Sequence, residues 1–327
     1  AFMARNRAHP GLTGKSAGAG PFRIASWEQG ARVVLKRNPN YWDPSAQHLD
    51  EITYHVLDGS KLDDILRRLA SGKLDVAMIS GDGAIQAALK ARRFSVYRRT
   101  LDQFGATLGF NRTIAPLGDP VVRLALAQAI DRRAIARGLG GTDGDVAEQL
   151  FQGSRWRCSD AGYPAFDPDG ARNILAALEV DFSRTVLWTE DTPTLRRTAQ
   201  MIQAMWAKAG ISIGVHVVTG QDRSLTYQIV TGRAALWIQP KGPFVHPSIS
   251  DLALHSASSQ NITRLRSHKI DTAIARLRRA RTEKDIRAAH CGFERVKTEV
   301  LPYLPVKRGV IGLITRNDIG GVALTGD

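Results

Sequence analysis

The chain has 327 residues, 43% hydrophobic and 23% charged, a balance that excludes a disordered chain and leaves room for two cores. No run approaches the ~20 consecutive apolar residues that a membrane-spanning helix needs. Lys and Arg total 45 against 31 Asp and Glu, a formal net charge of +14. That charge attracts anions of any kind, but the basic residues are scattered.

The beginning, Ala1 to Ser16, is polar and basic with no apolar signal core, and it leads straight into loop-like sequence. The chain therefore reads as part of a longer gene product. Phe22–Ala25 and Arg32–Leu35 read as a hairpin turned at Glu28-Gln29-Gly30, followed by the turn-rich, aromatic Asn38–Pro44. A βαβ pattern comes next. Ile52–Val56 alternates as a strand, Leu62, Ile65, Leu66 and Leu69 stripe a helix, Gly72 stops it, and Leu74–Ile79 is a mostly apolar second strand. Apolar runs of that kind belong to parallel sheets covered on both faces. Phe94–Tyr97 and Ala106–Phe110 read as two further short strands.

Pro116 and Pro120 mark a change to helix, with Val121, Leu124, Ala125, Ala129 and Ile130 on one face and a glycine-rich loop at Gly138–Gly144. Asp167-Pro168-Asp169 opens another helix, carrying Ala171, Ile174, Leu175 and Leu178. A second βαβ unit runs from strand Val186–Trp188 through the stripe Leu195, Ala199, Ile202, Trp206 to the return strand Ile211–Val218. Helices over 269–281 and 284–300 and a strand over Val310–Thr315 complete the chain. In the first of these helices the arginines at 276, 278, 279 and 281 sit beside the stripe Ile270, Ala273, Ile274, Leu277, which describes a solvated helix face rather than a nucleic-acid footprint. Cys158 and Cys291 form no CxxC pair. They either pair in an oxidising compartment or are inert; Cys291, on a helical pattern, is expected to be inert, and Cys158 stays open.

This order gives an α/β protein of two lobes, near 17–113 and 114–305, each with its own βαβ unit. Residues 1–16 form an irregular lead-in and 306–327 a closing segment that returns to the first lobe. No linker composition separates the lobes, so the junction at Asn111 to Pro116 is expected to be a hinge, with a ligand cleft between the lobes. Two separate sheets are implied.

Catalytic signatures are missing: there is no GxSxG elbow, no HExxH and no Walker A sequence. The glycine-rich Gly138–Gly144 follows a helix, whereas a phosphate cradle follows a strand. The eight histidines are dispersed, so no metal site is supported, and Asp63-Asp64 suits a first helical turn. Neither an enzyme nor a cofactor is expected.

Several blocks then resemble one family. Gly18-Ala19-Gly20-Pro21-Phe22, Ser26-Trp27 and Arg37-Asn38-Pro39-Asn40-Tyr41-Trp42 follow the order and spacing of the extracellular solute-binding proteins, family 5, the oligopeptide, dipeptide and nickel receptors of ABC importers. Ser71-Gly72-Lys73-Leu74-Asp75, Gly109-Phe110-Asn111, Val122–Arg132 and Tyr163–Arg172 are similar to later blocks of that family, in the right order. The resemblance implies a type II periplasmic-binding-protein fold with the amino-terminal part missing. The second part of lobe I would occupy 17–113, lobe III 114–305, and 306–327 would return to lobe I. It also implies a monomeric protein, extracellular or periplasmic and anchored as a lipoprotein, that passes a peptide-like or other small solute to a membrane permease, with no specific nucleic acid. The alternative is a ligand-sensing module of the same fold attached to a transcription regulator. An absent amino-terminal part would leave sheet edge or apolar surface uncovered in lobe I.

One block departs from the family. Its members carry an aspartate ahead of a proline in lobe III that holds a peptide ammonium, but Gln239–Pro247 contains no carboxylate and has Pro243 at the aligned position. A ligand with a free ammonium would lose its partner, which argues for a neutral or anionic one. Open α/β sheets bind ligands beyond the carboxyl ends of their strands. That rule nominates Ser80 and Asp82 after one strand, Thr189 and Glu190 after another, and Trp237, Gln239, Lys241 and Phe244. Trp237 fits a core beside Leu236 and Ile238 equally well, and Lys241 and Phe244 fit loop surface.

Overall fold

A computed structural model describes residues 18–59, 61–219, 222–242, 246–247 and 252–322. The chain divides into two compact units, Ala1–Arg67 and Arg68–Asp327.

The first unit is built on a three-stranded antiparallel sheet, β1 (Phe22–Glu28), β2 (Arg32–Arg37) and β3 (Glu51–His55), in that order. The β1–β2 turn is the expected one, with Gly30 at φ 76°, where a side chain would be strained. The register shifts between Ile24 and Ser26, so Ile24 and Trp27 both come to lie over the same β2 face. Two cross-strand rows result, Ile24–Leu35–Ile52 and Trp27–Val33–Tyr54. No residue of these strands is buried, and Trp27, Tyr54 and, beyond β2, Trp42 are well exposed. α1 (Leu62–Ala70) begins in this unit, with Asp63 and Asp64 in its first turn as expected.

The second unit is organised by one six-stranded sheet. Its strands are β4 (Val76–Ser80), β5 (Phe94–Phe110), β6 (Val186–Glu190), β7 (Gly214–Val218), β8 (Leu236–Lys241) and β9 (Tyr303–Arg316), in the spatial order β4-β9-β5-β8-β6-β7. Its helices are α2 (Asp82–Lys90), α3 (Pro120–Gln128), α4 (Arg132–Gly138), α5 (Pro168–Ala177), α6 (Pro193–Lys208), α7 (Leu225–Val230), α8 (His268–Arg279) and α9 (Glu283–Val300). Seven of these start on a side-chain oxygen that accepts a backbone N–H, that of Asp119, Asp131, Asp167, Thr192, Ser224, Ser267 or Thr282.

The second βαβ unit forms as expected, with β6 parallel to β7 across α6. The first does not. β3 pairs only with β2, and β4 pairs antiparallel with β9, so no parallel pair forms. The apolar letters of β4 misled the expectation. It is an edge strand with alternating exposure, and Met78 is 72% exposed. The two short strands expected at 94–97 and 106–110 are the ends of β5, 17 residues long, and the final strand is likewise longer, 14 residues.

Those two long strands carry the sheet through both halves. Their outer parts, Phe94–Thr100 against Val310–Arg316, continue into β4, and their inner parts, Phe104–Gly109 against Tyr303–Arg308, continue into β8, β6 and β7. The sheet is thus continuous across residue 113, where two separate sheets were expected. Asn111 is 1% exposed and held on both sides: its Nδ2 donates to the Gly232 carbonyl at 3.1 Å, and its Oδ1 accepts from the Thr113 N–H and hydroxyl. Such a residue is an anchor rather than a pivot. The pairing is irregular elsewhere, in three register shifts between Thr100 and Thr107.

Two cores flank the inner half. One packs Leu108, Phe110, Leu187, Leu236, Ile238 and Leu304 against α3 and α6, with Trp206 at its centre donating to the Leu126 carbonyl at 3.0 Å. The other gathers Phe104, Phe151, Trp156 and Tyr303 with Ile270, Ile274 and Phe293 of α8 and α9. Beside it Cys158 and Cys291 form a disulfide, so Cys291 is not the inert residue that its helical position suggested. A pairing 133 residues apart along the chain depends on tertiary approach, which a local pattern does not report.

Candidate functional site

The carboxyl ends of β4, β6 and β8 hold most of the expected site residues. Ser80 closes β4 and is exposed. Gly81 follows with φ 89° as the cap of α2, and a Cβ there would lie 2.9 Å from the Thr194 hydroxyl oxygen in the first turn of α6. Only glycine fits that conformation and that approach, and the result is that the end of β4 meets the turn leaving β6. Glu190 stands exposed at this end of β6. Thr189, just before it, is fully buried and faces the interior instead.

Asp82 begins α2 and is 2% exposed. Its Oδ1 accepts from Arg98 Nη2 at 2.9 Å, and its Oδ2 pairs with Lys307 Nζ at 2.5 Å. Arg98 also reaches Asp145 Oδ2 at 2.5 Å, and Thr100 donates its hydroxyl to Asp145 Oδ1 at 2.9 Å. Two carboxylates and two cations thus neutralise one another in the interior. Burial alone would raise the Asp145 pKa, but hydrogen bonds from Arg98, the Thr142 N–H and Thr100, with the Arg98 charge, hold it well below the usual carboxylate range. Asp82 therefore belongs to a closed ionic array, buried with its charge turned to Arg98 and Lys307. Gly140 and Gly141 lie over this array; a Cβ on Gly141 would be 2.8 Å from Asp145 Oδ2. The glycine-rich loop is a cover for buried charge.

On β8 the expected residues separate. Trp237 is 2% exposed and packs with Leu225, Ile229 and Ala234, and its indole lies so close to Gly109 that a Cβ there would be 2.1 Å from it. It is a core residue, with no face left for a ligand. Gln239, opposite Thr107, is half-buried. Lys241, opposite Phe104, holds its Nζ 5.0 Å from the centre of the Tyr303 ring. Lys297, its Nζ 5.7 Å from the centre of the same ring, is buried and paired with Glu294 at 2.6 Å. His246, at the end of the same segment, stands edge-on to Trp156 at 5.2 Å. Phe244 lies outside the described residues.

The structure thus joins Ser80, Gly81 and Thr194, sets Glu190 nearby in sequence, and places Gln239 and Lys241 at the edge of the inner half. Arg98, Asp145, Lys307 and Tyr303 were not foreseen. Their one sequence signal is a pair of polar interruptions, Arg98–Gln103 and Lys307-Arg308, within otherwise strand-like sequence. Among the described residues no three His, Cys, Asp or Glu gather as a metal site, and no helix is long and apolar enough to cross a membrane.

Comparison with known proteins fits this architecture. Residues 5–253 match the family described as bacterial extracellular solute-binding proteins, family 5, middle region. The probable ABC transporter periplasmic-binding protein SapA of Escherichia coli is 23% identical over 322 residues, 94% of this chain and 57% of that protein. The oligopeptide-binding protein OppA of Mycobacterium tuberculosis is 28% identical over 229 residues, 64% of this chain and 38% of that protein. The dipeptide-binding protein of E. coli is 27% identical over 202 residues, covering 59% and 37%. The chain thus spans between 37% and 57% of these relatives. Among solved structures, NikZ of Campylobacter jejuni in complex with Ni(L-His) superposes with a TM-score of 0.78 at 18% identity, over 93% of this chain and 64% of that one. AppA of Bacillus subtilis in complex with a nonapeptide gives 0.71 at 18% identity, over 93% and 63%. The fold is that of the type II periplasmic binding proteins. The chain belongs to the bacterial extracellular solute-binding proteins of family 5, which are transport binding proteins and not enzymes.

Proposed function

We propose that this chain is the solute-capturing part of an ABC-importer substrate-binding protein, and that the solute lies between the outer half of the six-stranded sheet, at Ser80, and the inner half, at Glu190, Gln239 and Lys241. The observation that carries this reading is the meeting of Gly81 with Thr194, which brings the carboxyl end of β4 to the turn after β6. The family's relatives include proteins named for dipeptide and oligopeptide binding, and one solved in complex with Ni(L-His). For this chain we favour a neutral or anionic peptide-like solute. Lys241 is the charged group that β8 offers, while Asp82 and Asp145 are spent on Arg98 and Lys307. A desolvated ammonium needs a carboxylate beside it; Gln239–Pro247 supplies none, and the carboxylate of Glu190, at the end of β6, is solvated rather than buried. The protein would work outside the cytoplasmic membrane as an anchored lipoprotein that docks on a permease; the Cys158–Cys291 disulfide supports an oxidising compartment.

Calorimetry with dialanine and N-acetyl-dialanine tests the ligand class. The acetylated peptide should bind more tightly than the free one, and Lys241→Glu should weaken it about tenfold, the effect of reversing one partly screened charge. Tight binding of free dialanine, untouched by Lys241→Glu, would overturn the reading.

A further inference from the structure

Between Thr100 and Thr107 β5 loses its regular ladder with β9, and Gly105 and Gly309 meet there. A Cβ on Gly105 would lie 2.9 Å from both the Arg308 carbonyl oxygen and the Gly309 Cα. The two backbones meet closely at Gly105 where the register shifts three times, so the irregular ladder does little by itself to fix the angle between the outer and inner halves.

The ionic array bridges this crossing. Asp82 and Arg98 belong to the outer half, after β4 and in the first part of β5. Lys307 belongs to the inner half, and Asp145 is tied to it because its neighbour Val146 forms a β-bridge with Lys307. Every charge pair but one therefore spans the crossing: Asp82 to Lys307 at 2.5 Å and Arg98 to Asp145 at 2.5 Å, while Arg98 to Asp82 at 2.9 Å stays within the outer half. The side chains of Asp82, Asp145 and Lys307 are 1%, 1% and 3% exposed. A second tie sits at the crossing itself, where Arg308 pairs with Asp102 at 2.7 Å and Asp102 accepts the Gly153 N–H at 3.0 Å.

We propose that the Asp82–Lys307–Arg98–Asp145 array sets the angle between the two halves, and with it the width of the cleft. Asp145 and Lys307 are then positioning residues for the solute site without touching the solute. This rests on the reading that the solute lies between these halves. A buried array with every charge paired contributes little net stability, because desolvation offsets attraction. It does select one geometry, since any change of angle separates Asp82, Asp145 and Lys307, all shielded from water, from their partners, and Arg98, 26% exposed, is the member that water reaches. Arg98 joins the two carboxylates through Nη2 while its Nη1 donates to the Thr100 hydroxyl at 3.1 Å, and a lysine ammonium, with one nitrogen on an unbranched stem, cannot keep all three bonds in that geometry.

The test is a distance measurement on the whole chain without ligand. Spin-labelled non-natural residues replace the exposed Lys73, in the outer half, and Lys208, at the end of α6, and their separation is read by pulsed electron resonance. The parent should give one narrow distribution. Asp145→Asn and Arg98→Lys should each add a second, distinct population, the equilibrium between the two angles shifting about tenfold. Arg295→Lys, in the surface pair with Asp160, should leave the distribution narrow. Arg98→Lys keeps the net charge, so it decides the matter if Asp145→Asn does not fold. A distribution as narrow as the parent's in folded Arg98→Lys would overturn the proposal. Since no ligand is present, that result is independent of whether either dialanine peptide binds.

Discussion

Arg123 offers the most direct test of how the inner half is held. It is fully buried in α3, and no carboxylate touches it. Its Nε donates to the Leu301 carbonyl at 3.1 Å, Nη1 to Leu117 and Gly118 at 2.8 and 2.9 Å, and Nη2 to Val300 at 2.9 Å. Val300 and Leu301 end α9, where the helix dipole is negative and a cation is favoured, so a helix end replaces the missing acid. Burial, then the like charge of Arg112, bring its pKa down to about 10 against the opposing pull of Asp119, and it remains a cation at neutral pH. Arg123→Met would fill much of the volume but orphan four carbonyls. At about 1–3 kcal/mol for each unsatisfied group, less what water and the removal of a buried charge return, the loss should be about 3–5 kcal/mol. Arg123→Lys keeps the charge but not the fork and should lose about half of that. Urea unfolding followed by circular dichroism reads both as a lowered midpoint. If Arg123→Met stays within about 1 kcal/mol of the parent, the carbonyls are not held by this side chain and the argument fails.

Two further outcomes follow from geometry already described. Reducing the Cys158–Cys291 disulfide frees a span of 133 residues in the unfolded chain, and the loop-entropy relation sets a ceiling of about 5 kcal/mol on the stability lost. A melting temperature unchanged by reductant, with both thiols shown free, would contradict this. For Asp145 the folded-state pKa lies below the unfolded value, so its contribution is complete above the unfolded pKa of about 4 and is lost as pH falls below it. The melting-temperature gap between the parent and Asp145→Asn should therefore be wide at pH 7 and narrow towards pH 3; a gap constant with pH would show that Asp145 is not held as a carboxylate.

What the sequence made legible was local. Leu195, Ala199, Ile202 and Trp206 recur at helical spacing, and all four are buried where α6 meets the sheet. Asp167 reads as a cap because a carboxylate ahead of Pro168 can satisfy the first free N–H groups, and it does accept from Gly170. The failures are all questions of partner. The letters of β4 do not say whether its neighbour is parallel, and β9, more than 200 residues later, decided it. Trp237 sits near the carboxyl end of β8, where a ligand contact was reasonable, but the Gly109 backbone on β5 takes its indole. Asp82, expected as a ligand contact, is instead a buried ion paired with Arg98 and Lys307, which come from distant parts of the chain.

The same logic explains why β5 was read as two strands. Arg98, Arg99, Asp102 and Gln103 interrupt its apolar pattern, and in isolation such a run marks a loop. A strand can keep charges in its middle when other segments bring matching ones: Arg308 of β9 pairs with Asp102, and Asp82 and Asp145 pair with Arg98. The cost of burying those charges is met only if both strands, the end of β4 and the Asp145 turn arrive together. The polar middle of β5 therefore specifies a meeting of four distant segments, and the apolar ends on either side make it a continuous strand. That division of labour also bears on the angle between the halves: the inner end of β5, with Ala106, Leu108 and Phe110, is packed into a core, and its charged middle is held by pairs that only one angle satisfies.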